Sequence, residues 1–143
     1  MNNQDVVETL NSLLTTLHDG EKGYREAAEE ASDQNHKSLF LRLSKERAQF
    51  AAELSQEVRH HGGDPETSGS ALAAFHRAWI NVRDAVTGKD DESILREVER
   101  GEKNAQDNFK DAIDQELPNT VALIIRKQYE AIRGTLSEIK QIA

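Results

Sequence analysis

Four polar side chains stand where apolar helical stripes should continue. Glu21 follows Leu10, Leu14 and Leu17 and precedes Tyr24 and Ala28, while Glu46 lies between Leu43 and Phe50. Val98 and Ala105 bracket Glu102, and Ile124, Ile125 and Ile132 bracket Gln128. Steps of three and four are helical, so each of four helices is expected to turn one polar group inward. No lysine or arginine is placed on those inward faces. A buried, ionised carboxylate costs several kcal/mol unless it is paired or bound to a cation. Two chemistries could compensate three converging carboxylates. One is a metal site. The other is a protonated cluster, with at least one carboxyl held neutral by desolvation and like-charge repulsion.

Other side chains could extend that centre. His18 lies one turn before Glu21 and could supply an imidazole, or simply border the core. Tyr24 could hydrogen-bond a carboxylate or act as plain packing. Glu57, His60 and His61 could chelate a metal, although a helix C-terminus favours histidine through its dipole alone. His36 is expected as an exposed cap, and His76 and Trp79 as packing residues.

The elements needed to position these groups are all helical. Long helices are expected at about residues 5–31, 36–61, 92–115 and 118–141, and a shorter one at about 70–87, within one domain covering 1–143. Gly62-Gly63-Asp64-Pro65 is a strong terminator, and Pro118 suits a helix start. Short turns near residues 33 and 117 join the long helices into two hairpins. The connection between the hairpins is long enough to return along the bundle, and a bundle with one long crossover is the ferritin-like arrangement. Glu21 and Glu46 stand 12 and 13 residues from the first turn, and Glu102 and Gln128 stand 15 and 11 from the second. All four should therefore meet near mid-bundle. A weak internal repeat, Asp19-Gly20-Glu21-Lys22 against Arg100-Gly101-Glu102-Lys103, agrees.

Several segments together resemble the uncharacterised bacterial ferritin-like four-helix-bundle proteins. They are Asp19-Gly20-Glu21, Gln49-Phe50-Ala51-Ala52-Glu53-Leu54, His60-His61-Gly62-Gly63, His76-Arg77-Ala78-Trp79 and Glu99-Arg100-Gly101-Glu102. The family is more distantly similar to rubrerythrins and bacterioferritins, whose bundles hold paired iron ions. There, single glutamates on two helices join a Glu-x-x-His from each of the other two. The resemblance implies that Glu21 and Glu102 stand for the single glutamates. Glu46 stands for the glutamate of the first Glu-x-x-His, with Gln49 in place of its histidine. Gln128 and Ala131 replace the second pair. With both histidines and one glutamate missing, the oxygen donors left suit Mn, Ca or Mg better than tightly held iron or zinc.

The totals narrow the function. A net charge of −8 opposes binding to nucleic acid or to an anionic membrane surface. Without cysteine there are no disulfides, thiolate ligands or cysteine nucleophiles. No signal-peptide pattern and no apolar run of membrane-spanning length are present, so a cytoplasmic protein is expected. No phosphate-binding glycine loop, dinucleotide fingerprint or nucleophile triad is found, and nothing signals flavin or haem. The expected function is a ferritin-like bundle with a candidate metal centre, binding iron or another divalent metal and open to oxygen or peroxide chemistry. The alternative is a non-catalytic, stress-related or interaction bundle with a vestigial metal site, with a homodimer as its simplest assembly.

Overall fold

The computed structural model describes residues 2–67 and 90–142. Four helices and no strands are found among them: α1 (Asn3–Glu30), α2 (Gln34–His60), α3 (Asp91–Ile113) and α4 (Asn119–Ile142). All four expected long helices are present, with ends within a few residues of expectation. The helix expected at 70–87 lies outside the described residues.

Local chemistry sets the boundaries. Asn2, Asp33 and Asp90 cap α1, α2 and α3, each accepting from a first-turn backbone N–H. Such caps satisfy donors that the helix itself leaves unpaired. Before α4, the carbonyl of Pro118 accepts the N–H of Ala122 at 2.8 Å. At the end of α2, Gly62 adopts φ 83°, and the N–H groups of Gly62 and Gly63 return to the carbonyls of Arg59 and Val58. This left-handed C-cap stops the helix. Gly63 is needed for a second reason, because a Cβ there would meet Val7 Cγ1 at 2.5 Å.

The helices pack as two antiparallel hairpins, α1 with α2 and α3 with α4, and α1 also packs on α3. Asp91, the first residue of α3, accepts the N–H groups of Ser32 and Asp33 at 2.9 Å each. At the other end, Thr9 of α1 donates to Gln115, just beyond α3, at 2.9 Å. α3 therefore runs antiparallel to α1 and begins beside the α1–α2 turn. α2 finishes at the opposite end of the bundle, so the connection from α2 to α3 has its two ends a full helix length apart.

The interior holds two apolar clusters. One gathers Leu10, Leu14, Leu54, Val58, Phe109 and Ile125; the other gathers Tyr24, Phe40, Leu43, Ile94, Val98 and Ile139. On α2 and α3 the residues that separate the clusters are Arg47 and Glu102.

Candidate functional site

Glu102 is fully buried, as expected, but its partner is an arginine. Arg47, 1% exposed, donates from Nη1 to Oε1 at 2.7 Å and from Nη2 to Oε2 at 2.6 Å. The same Nη2 reaches Glu46 Oε1 at 3.5 Å. The expectation that no basic residue shares the inward faces is thus corrected. The inward stripe of α2 runs Leu43, Arg47, Ala51, Leu54 and Val58, so Arg47 takes the slot assigned to Glu46.

Aromatic and small residues complete the surroundings of the guanidinium. Its Cζ lies 5.5 Å from the centroid of the Tyr24 ring and 6.0 Å from that of Phe50. Both distances fall within cation–π range. On α1 the facing residue is Gly20, where a Cβ would lie 3.6 Å from Arg47 Cγ. The arginine stem therefore runs beside a helix with no side chain in its way. Burial alone would lower the pKa of Arg47, but the charge and hydrogen bonds of Glu102 outweigh it and raise the pKa above its ordinary value. Burial pushes the Tyr24 phenol well above its ordinary value, and the neighbouring Glu102 charge adds to the rise. The guanidinium keeps its charge and the phenol is neutral.

The remaining candidates are more dispersed. Glu21 and Glu46 stand at the edge of the interior, with side chains 31% and 28% exposed. Glu21 Oε1 lies 3.7 Å from His18 Nδ1, while His18 Nε2 is 3.2 Å from the carbonyl of Glu66. Beside it, Asn11 binds Asp64 O and Glu66 N at 3.1 and 2.8 Å. His18 therefore helps hold the chain leaving α2 against α1. Gln49 is exposed on the outer face of α2. Gln128 is buried, and its Nε2 donates to Phe50 O at 3.2 Å and to Glu53 at 3.4 Å. Both partners lie on α2, one to two turns beyond Arg47, in keeping with the unequal distance of Gln128 from the second turn. Among the described residues, no group of three or more His, Asp or Glu side chains is gathered to hold a metal ion.

Two histidines have clear local roles. His36 is only partly exposed and sets Nδ1 3.0 Å from Asp91 Oδ2, which corrects its expected role as an exposed cap. His61 Nδ1 lies 2.8 Å from the carbonyl of Glu57, within its own helix end. His76 and Trp79 fall outside the described residues.

Sequence reasoning missed Arg47 and Gly20. The available signal was periodic: Arg47 stands four residues from both Leu43 and Ala51 and seven from Leu54.

Fold and centre together define an all-helical bundle with an ion pair in its interior. Residues 5–115 match the family described as "Domain of unknown function (DUF2383)", and the chain belongs to that family. Among curated proteins, none matches the chain. No described helix is long and apolar enough to cross a membrane.

Proposed function

We propose that this chain is a ferritin-like bundle whose metal centre is vestigial, and that it works as a non-catalytic helical domain through its surface. The fork between Arg47 and Glu102 carries this reading. A metal ion at Glu102 would need oxygens that already face a guanidinium at 2.6 and 2.7 Å, and would bring a second positive charge beside it. Like charges in a low-dielectric interior repel strongly. The residues present do not fit a metal at that position. Two antiparallel hairpins, with the connection between them starting and finishing at opposite ends, support the ferritin-like part of the proposal.

The test is metal content. Protein from cells supplemented with iron, manganese and zinc would be compared with a Glu21→Ala/Glu46→Ala variant, whose two sites are partly exposed. Metal near zero in both is expected. One or two equivalents per chain that vanish in the variant would overturn the proposal and restore oxygen or peroxide chemistry as the next assay. A homodimer is the simplest assembly for a surface role, and sedimentation equilibrium decides it.

A further inference from the structure

We infer that this chain associates with copies of itself head to tail, the α2–α4 side of one copy lying on the α1–α3 side of the next. The inference rests on the reading above, in which the domain works through its surface, and it names the partner. α1 packs on α3 and α2 on α4, so the two pairs form opposite sides of the bundle. Their charges differ in sign. α1 and α3 together carry fourteen acidic and six basic residues, whereas α2 and α4 carry five acidic and nine basic. Setting aside the internal Arg47–Glu102 pair leaves thirteen against six on one side and five against eight on the other. The net charge of −8 hides this division.

Folding leaves much of that charge without a partner. Lys45, Lys127 and Lys140 are exposed on the basic side, and Glu29, Glu30 and Asp107 on the acidic side. None of the six takes part in an ion pair among the described residues. The large apolar side chains exposed among the described residues, Leu41, Leu123 and Ile142, also lie on α2 and α4. On α2, Leu41 shares a shallow groove with Arg42 and Lys45. A contact there would cover apolar surface as well as charge. Two α2–α4 sides would meet with like charge, and so would two α1–α3 sides. Opposite sides attract, and complementarity of this kind decides which surfaces meet. The contact is heterologous, so a dimer keeps one free side of each sign and assembly continues to a ring or an open chain.

The experiment is sedimentation equilibrium of the full 16.0 kDa chain. It is run in about 0.01 M and about 1 M NaCl, where the screening length is about 30 and 3 Å. In low salt the average mass of wild type should rise with concentration past that of two chains. In high salt it should fall toward one. Lys45→Glu/Lys127→Glu reverses charge on the basic side, and Glu29→Lys/Asp107→Lys does so on the acidic side. In low salt each variant alone should stay near one chain, and an equimolar mixture should associate, because each supplies the side the other lacks. Circular dichroism checks that both are folded. Should either not be, Lys45→Gln/Lys127→Gln and Glu29→Gln/Asp107→Asn are read by the same criteria. A wild-type monomer in low salt would overturn the inference and leave the basic side to an acidic partner of another kind. Association indifferent to salt would overturn it too. So would a dimer abolished only by the α2–α4 reversal, which would show that like sides meet. Bound metal in the assay above would instead overturn the proposed function, so the two failures are separable.

Discussion

Arg47 on α2 and Glu102 on α3 face each other as a two-pronged fork across the interior, 55 residues apart in sequence. Parallel N–H···O bonds of this kind fix orientation as well as charge. α2 and α3 belong to different hairpins, so the fork ties the hairpins together at the level where both apolar clusters stop. The pairing is incomplete, because Arg47 Nε and Gln128 Oε1 are buried without a hydrogen-bond partner among the described residues. Each such orphan costs about 1–3 kcal/mol. The centre therefore favours one arrangement of the hairpins more than it maximises stability.

A mutant cycle tests that balance. Arg47→Met or Glu102→Leu alone should destabilise by about 3–5 kcal/mol, because each leaves its partner charged and buried. The double variant should recover most of the loss, or exceed wild type, since apolar replacement of a buried pair is often neutral or stabilising. Urea denaturation midpoints measure all four proteins. Losses that simply add would mean that the two side chains act independently.

The phenol beside the pair gives a spectroscopic prediction. Tyr24 is one of two tyrosines, and burial with the Glu102 charge holds its pKa well above the ordinary value. Its folded pKa is raised, so its contribution to stability is full below the unfolded value of about 10 and declines above it. Part of the tyrosinate absorbance should appear only as helical circular dichroism is lost at high pH. Tyr24→Phe should remove that fraction. A Tyr24 that ionises while the helices remain intact would contradict the placement of its hydroxyl.

Helix positions, the stop at Gly62-Gly63 and the burial of Glu102 were legible in the sequence because they depend on neighbours within a few residues. The inward track of α2 was not. Leu43 and Leu54 lie on both the track through Glu46 and Phe50 and the track through Arg47 and Ala51. Periodicity cannot separate them, and hydrophobicity favours the track with Phe50. On α1 the same ambiguity put Glu21 inside, where Gly20 is the buried residue. What resolves both is a partner on another helix. An arginine can turn inward only where a carboxylate meets it, and no single helix carries that information.

Glycines allow opposite predictions for one kind of change. Gly134 lies in α4, exposed, and a Cβ there meets nothing within 4 Å. Gly134→Ala should therefore stabilise by about 0.8–1 kcal/mol, the helix-propensity difference. Gly63→Ala should destabilise by about 1–3 kcal/mol, the usual range for forcing an extra carbon into a packed site. Its Cβ would lie 2.5 and 2.8 Å from the two methyls of Val7. Thermal melts of both variants suffice, and equal shifts would mean that the end of α2 does not pack on α1 as described.

The last prediction concerns acid. Asp91 joins the start of α3 to the α1–α2 turn, accepting two backbone N–H groups and lying 3.0 Å from His36 Nδ1. Partial burial would raise its pKa, but the Ser32 and Asp33 N–H groups and His36 together bring it below the ordinary carboxylate value. Because the folded pKa is depressed, the stabilisation is complete above the unfolded pKa of about 3.9 and disappears as pH falls through the lower folded value. Asp91→Asn cannot carry the charge, and it should cost about 1.5–3 kcal/mol near neutral pH, the range for hydrogen bonds to a charged group. Melting temperatures of the two proteins should differ most above pH ~5 and converge as wild-type Asp91 becomes protonated in strong acid. A gap that stays constant down the acid limb would show that Asp91 acts through shape alone, and that its charge does not hold α3 to the first hairpin.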